Sequence, residues 1–241
     1  MSEPTRRTLI SFAVLFASFA VGVGLWMWIS QTNEDDAISP VFRKTLEFNG
    51  RIWKDLFRPS TRAACAPPPK GKLPRVNGEI GIKKDLQINS WRLELIADDQ
   101  DPRSRRWQLS LADIKALPRN ESATEFRCIE GWSEPLSYSG VKFSDLVKAY
   151  QLTPKRYVGL VTVDGEYYVS IDTESMMHEQ TMLSFAMNGQ PLTIENGAPL
   201  RLIIPVKYGI KHLKQIGRIF FSDVRPPDYW EERGYDWYAG L

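Results

Sequence analysis

Two cysteines and two histidines are all the soft ligands and neutral-pH bases this chain has for chemistry of that kind. Cys128 stands in EFRCIEGW, residues 125–132, where a strand-like run meets a Glu-Gly-Trp turn. A single cysteine is more often a small buried hydrophobe than a reactive group. A strand end opening onto a turn can nevertheless aim a side chain into a cleft, and Arg127 would favour the thiolate if it faced the same way. Such a thiolate can act as a nucleophile or bind a soft metal. Nucleophilic catalysis needs a base, and only His178, expected on the surface at a helix start in MMHEQT, and His212 are available. A zinc site would need more ligands than these four residues supply at their unrelated spacings, and the C-x-x-C-H of a c-type haem is absent. A metal that arrives in its own organic ligand needs only one protein thiolate.

A second candidate lies in ENGAPLRLIIPVKYGIKHLKQIGRIFF, residues 195–221. Lys207, Lys211, Lys214 and Arg218 recur at spacings of four, three and four, which on a helix would form one basic, solvated face. Gly209 and Gly217 interrupt that helix, which points instead to a loop whose cations and free backbone N–H groups could cradle an anion such as a phosphate ester.

These residues must be positioned by a folded unit, and the chain is long enough for one. It has 241 residues, 43% hydrophobic and 25% charged, the balance of a globular protein with a sizeable core. Leu9 to Ile29 carry no charge and as a helix would cover about 30 Å, one hydrocarbon core. Arg6 and Arg7 precede this span and the first acidic residue after it is Glu34, a bias that leaves the N-terminus in the cytoplasm and the remainder outside. TRRTLIS also resembles a twin-arginine export signal. The length of the apolar run and the lack of a small-x-small site after it favour an uncleaved anchor over a cleaved signal. Setting aside Arg6, Arg7 and Glu3, the 31 basic and 29 acidic residues become 29 and 28, a near-neutral remainder for which nucleic acid is a poor partner.

Three regions follow: residues 1–30 as signal or transmembrane anchor, 31–74 as a linker with one short helix and a Pro-rich end, and 75–241 as the folded domain. Within the domain, SWRLELIA alternates as a strand, SLADIKALP reads as a helix capped by Ser110 and stopped by Pro118, and TEFRCI is the strand that delivers Cys128. KFSDLVKAY reads as a helix and RYVGLVTVDGEYYVSI as two strands about an Asp-Gly turn. HEQTMLSFAMNG is expected to be a helix closed by Asn188 and Gly189, followed by the strands APLRLIIPV and IGRIFFSDV. Strands outnumber helices without a βαβ rhythm, so the fold class is α+β.

FRCIEGW, NGAPLRLIIPVKYGIKHLK and PPDYWEERGY, in this order and at these separations, resemble the molybdopterin-binding domain of the sulfite oxidase superfamily. The likeness covers roughly residues 75–235 and is strongest to the bacterial branch that includes the catalytic subunit of periplasmic methionine sulfoxide reductase. It implies a sulfite-oxidase-type fold of mixed sheets with surrounding helices, and a molybdenum-molybdopterin cofactor in which Cys128 is the single protein ligand to the metal. By position it also implies cofactor contacts from Asn196 and Arg201 in NGAPLR, from His212, Leu213 and Lys214 in KHLK, from Thr162 in GLVTVD, and from Asn77 and Glu79 in RVNGEIG. The branch's Asn-x-Phe-Tyr-Glu-Phe-Gly stretch is represented here without its aromatic pair. Gly131, Trp132 and Ser133 stand where sulfite oxidases place an arginine, which disfavours a sulfite dianion.

The resulting expectation is a single-pass enzyme of the bacterial inner membrane, its catalytic domain periplasmic, transferring an oxygen atom or two electrons on a small-molecule substrate of the sulfoxide or N-oxide type. Its electrons would be exchanged with a separate cytochrome or other membrane carrier. The alternatives are a non-catalytic cofactor-binding or assembly subunit of a membrane redox complex and, less favoured, thiol–disulfide chemistry between Cys65 and Cys128. Export after cofactor insertion in the cytoplasm is what would give Arg6 and Arg7 a role as a twin-arginine signal.

Overall fold

The computed structural model describes residues 3–31, 37–58, 60, 62, 68 and 73–240. Its first helix, α1 (Glu3–Ser30), is exposed along its length and is the one helix among the described residues long and apolar enough to cross a membrane. A second, α2 (Pro40–Leu56), starts with a proline in its first turn, where no hydrogen-bond donor is needed.

Ten strands follow: β1 (Leu93–Ile96), β2 (Arg106–Leu109), β3 (Arg119–Arg127), β4 (Ser133–Lys142), β5 (Tyr157–Thr162), β6 (Tyr168–Asp172), β7 (Met182–Met187), β8 (Gln190–Pro191), β9 (Arg201–Ile203) and β10 (Ile216–Ser222). Three short helices lie among them: α3 (Leu111–Lys115), α4 (Phe143–Ala149) and α5 (Thr173–Met176). One sheet has the order β2-β1-β10-β5-β6, with only β1 and β10 parallel, and the other runs β3-β4-β7-β8 with β9 also paired to β7. The α+β class is what the sequence pattern implies. The Ser110 cap is a reciprocal capping box, in which Ser110 Oγ accepts from the Asp113 N–H while the Asp113 carboxylate accepts from the Ser110 N–H.

The main core joins Leu93, Leu95, Leu160, Ile219 and Phe221 of the first sheet to Phe143 and Leu146 of α4 and to Val141, Leu183 and Leu202 of the second sheet. A smaller cluster on the opposite face of the second sheet holds Leu136, Tyr138, Met182, Met187 and Ile203. Neighbours in sequence, Met182 and Leu183 or Leu202 and Ile203, thus point into different clusters, as the two-residue period of a strand requires.

That division corrects the helix expected over HEQTMLSFAMNG. The segment is β7, paired with β4 and β9, and Asn188 and Gly189, both at positive φ, turn the chain into β8. With both faces buried, its apolar run carries no alternation, and periodicity alone does not separate such a strand from a buried helix. His178, expected on the surface, is buried beside Phe57. Nor is the segment after α1 merely a tether: the Arg43 side chain of α2 donates to the carbonyls of Glu231 and Tyr235 at 2.6 and 3.4 Å, so α2 is held against the end of the domain. Cys65 and most of the Pro-rich stretch fall outside the described residues.

Candidate cofactor pocket

Cys128 follows the last residue of β3 and is a free cysteine, buried at the base of a cavity of about 360 Å³. Its backbone N–H donates to Trp132 O at 2.9 Å and its carbonyl accepts from the Gly131 N–H at 3.1 Å, which closes the turn between β3 and β4. Gly131 takes a φ of +87°, a conformation that favours glycine. Asn77 reaches the thiol from the chain segment before β1, its Nδ2 lying 3.8 Å from Cys128 Sγ and 3.4 Å from Glu130 Oε2. The Trp132 indole N–H donates to the same carboxylate oxygen at 2.9 Å.

Burial pushes the Cys128 thiol above its ordinary range, with further repulsion from Glu130. Arg127, considered above as a source of thiolate character, pairs instead with Glu125 at 3.0 Å on the other side of the strand. The Glu130 carboxyl is held below its usual value chiefly by the Trp132 indole and then by Asn77, so an ionised acid lies beside the sulfur.

The opposite wall comes from the start of β9 and the segment between β9 and β10. Arg201 is fully buried, its Nη1 donates to Asn196 O at 3.0 Å, and its Nε has no hydrogen-bond partner. No carboxylate pairs with it among the described residues, and burial lowers its pKa. Lys214 donates to the carbonyls of Asn77, Gly78 and Glu195 at 2.7, 3.2 and 2.9 Å, and burial followed by repulsion from Arg201 depresses it to about 8. His212 packs edge-on against Phe126, its Nδ1 has no partner, and burial with the Arg201 charge lowers it to about 3, leaving a neutral ring. Gly209 permits the close approach of Phe126, because a Cβ there would lie 2.4 Å from the ring.

Six of the residues singled out in the sequence therefore share one cavity: Cys128, Asn77, Glu79, Arg201, His212 and Lys214. Three others do not line it. Thr162 uses its hydroxyl in the β5–β6 turn, bonding Asp164 and Tyr167; Leu213 is in the main core; the Asn196 side chain bonds Thr193, although its carbonyl holds Arg201. The supposed basic face is divided. Lys207 and Lys211 are buried against Asp172 and Asp228, and Arg218 is on β10 beside Glu94. Only Lys214 of the four faces the cavity.

The sequence reading missed Arg75, Tyr167, Trp230 and Tyr235, which also line it. Arg75 lies over the Trp132 ring at 4.3 Å, so a cation does stand near the turn that lacks one in sequence. The motif PPDYWEERGY contains Trp230 and Tyr235, but nothing in its pattern tells which aromatics turn inward. The arrangement combines a soft sulfur, a buried cation without an acid partner and an aromatic rim, which can hold a metal complex bearing an anionic tail.

The family profile described as "Oxidoreductase molybdopterin binding domain" matches residues 79–230. A protein of Azospira oryzae, provisionally named as protein-methionine-sulfoxide reductase subunit YedZ1, is 29% identical over 98% of this chain and 88% of its own length. The protein-methionine-sulfoxide reductase catalytic subunit MsrP of Xanthomonas axonopodis pv. citri is 32% identical over 62% of this chain, and the matched region spans half of that protein. Among solved structures, the sulfane dehydrogenase SoxCD of Paracoccus pantotrophus is similar in fold, with a TM-score of 0.51 and 21% identity over 58% of this chain and 40% of that one.

Proposed function

The chain belongs to the molybdopterin-binding oxidoreductase family, and from that premise we propose that it is a membrane-anchored, extracytoplasmic enzyme that reduces sulfoxide- or N-oxide-type substrates on a molybdenum-molybdopterin cofactor. The observation that carries the reading is the cavity itself, lined by a free buried thiol and a buried guanidinium that pairs with no carboxylate among the described residues. An uncompensated buried charge is costly, and a phosphate group would compensate it with the two-pronged geometry that arginine favours.

When bound, the cofactor would supply a two-electron redox centre with exchangeable oxygen positions. The rest falls to this chain's own residues. Cys128 would give up its proton and bind as the thiolate, since a coordinated thiol is deprotonated even where burial alone opposes it. Arg201 would hold the anionic end, with Lys214 closing that end through its bonds to the 77–78 segment. Neutral His212 offers Nδ1 as a hydrogen-bonding atom without adding charge. Asn77 orients the sulfur side, and Phe126, Trp132, Trp230 and Tyr235 exclude water around it.

Glu130 bears on the substrate. Its ionised carboxylate beside Cys128 repels a sulfite dianion but tolerates a neutral, dipolar S=O or N–O group. In the reduction, a sulfoxide takes two electrons and two protons, the S–O bond breaks, and sulfide and water leave. The two electrons would come from a separate membrane cytochrome or similar carrier. The MsrP relative, named for protein-methionine sulfoxide, directs the first choice of substrate to that class. Arg6 and Arg7, in the first turns of α1 and ahead of its apolar run, are consistent with export of the folded, cofactor-loaded domain by a twin-arginine route.

Expression in a host that makes molybdopterin is expected to yield molybdenum-loaded protein that reduces methionine sulfoxide or an N-oxide with a reduced viologen dye, activity that Cys128→Ala abolishes. Oxidation of sulfite in place of sulfoxide reduction would overturn the substrate assignment. Retained molybdenum without turnover would favour the assembly-subunit alternative, and protease access in spheroplasts checks the placement of the domain.

A further inference from the structure

Helix α2 is clamped to the domain along the face that carries Arg43 and Gly50, where Leu46 is half-buried, while its polar residues Lys44, Glu47, Arg51 and Lys54 stay exposed. Besides the Arg43 bonds to Glu231 and Tyr235, Gly50 packs so closely that a Cβ there would sit 3.3 Å from both Asp236 and Tyr238. The same α-helical period gathers Phe42, Phe48, Ile52, Trp53 and Leu56 into one sector, with Phe48, Ile52 and Leu56 turned furthest from that contact and Phe42 and Trp53 at its nearer edge, and all five are between 41% and 61% exposed. A helix of a water-soluble domain has the reverse arrangement, with its apolar stripe against the core. The outward stripe is a contiguous set of large side chains, the kind of patch that marks an interaction surface.

What covers it is indicated by the neighbouring chain. Only residues 31–39 separate α2 from the end of α1, and at ~3.3–3.6 Å per residue they reach no more than about 30 Å. The helix bears the basic residues Arg43, Lys44, Arg51 and Lys54 against the acidic Glu47 and Asp55, an excess suited to anionic headgroups. We propose that α2 lies in the headgroup layer of the bilayer that α1 spans, with Phe48, Ile52, Trp53 and Leu56 entering the acyl-chain boundary. This inference rests on the membrane-anchored reading above. Residues 230–238, which hold α2, also supply the cavity walls Trp230 and Tyr235. The cavity is therefore kept at a set attitude to the membrane instead of swinging on a tether.

The test uses the full chain in phosphatidylcholine–phosphatidylglycerol vesicles whose acyl chains are brominated, so that tryptophans in contact with lipid lose fluorescence. The contribution of residue 53 is taken as the difference between the parent chain and Trp53→Phe, and that of α1 from Trp26→Phe with Trp28→Phe. Quenching of about half or more of the Trp53 emission is expected, with a fall when Ile52→Asp and Leu56→Asp are introduced together. If Trp26 and Trp28 are quenched and Trp53 is not, the inference fails while the anchor stands. Shielding of Trp53 from both brominated lipid and aqueous iodide would overturn it in favour of a protein partner or a second copy. If none of the three is quenched, the membrane-anchored reading fails and the inference with it.

Discussion

Four cations of β9 and of the segment that joins it to β10 are wholly or largely buried, yet they fall into two pairs with opposite electrostatic settings. Lys207 lies 3.1 Å from Asp172 and over the Tyr238 ring, and Lys211 pairs with Asp228, which also accepts from the Ser170 N–H. Arg201 and Lys214 have backbone carbonyls around them and no such carboxylate among the described residues. The first pair completes its charge balance within the fold. The second leaves cations at the cavity wall with no described carboxylate in contact: burial lowers all three of Arg201, Lys214 and His212, the Arg201 charge lowers the latter two further, and Glu195 and Glu79 offset this only in part at Lys214. Burial of a cation is thus no guide to its role until its counter-charge is known.

The comparison breaks first at the paired site. Lys211→Met leaves the Asp228 carboxylate buried without its partner, and should cost about 3–5 kcal/mol of stability, seen as a large drop in the thermal midpoint of the cofactor-free protein. A small change there would mean that the pair is as dispensable as a surface ion pair.

His212 sharpens the contrast through pH. Its folded-state pKa of about 3 lies below the ordinary 6.5, so between those values the unfolded chain binds the proton and the folded chain does not. Stability contributed by the neutral ring is therefore complete above about pH 6.5 and is lost as pH falls toward 3, at about 1.4 kcal/mol per unit. Chemical denaturation across this range should show the slope in the parent and its reduction in His212→Gln. An unchanged slope in the variant would place the proton uptake elsewhere.

The smallest stability effect is expected at the unpaired site. Arg201→Met removes a buried charge that no carboxylate among the described residues pairs with, so the cofactor-free protein should change by less than about 1.5 kcal/mol. Molybdenum retained after purification from a molybdopterin-making host should nonetheless fall by about tenfold or more, measured by elemental analysis. Loss of stability comparable to that of Lys211→Met, with cofactor retention intact, would assign Arg201 to the scaffold.

The legibility of the fold followed how local each signal was. The Ser110 N-cap, the β5–β6 hairpin around Asp164 and Gly165, and α4 are set by neighbours a few residues apart, and all were readable in sequence. The segment that forms β7 was not, because its strand character depends on clusters buried against both its faces. The site shows the same division. Cys128 at a strand end and the run of cations in the 195–221 segment were evident from residue types, whereas Arg75, Trp230 and Tyr235 join the cavity from segments far apart in the chain.

Residue types and spacing were enough to show that a lone cysteine ends a strand at a Glu-Gly-Trp turn, that an apolar span precedes the domain, and that the domain mixes strands with short helices. Composition, spacing and hydrophobic period carry those facts within a single segment. Tertiary structure alone decided which of four regularly spaced cations face the cavity, because a lysine's part depends on whether Asp172 or Asp228 is folded against it. It likewise decided that α2 leaves its apolar stripe exposed, since the amphipathic pattern is identical whichever side the domain holds, and the grip of Glu231 and Tyr235 on Arg43, with the close packing at Gly50, selects one.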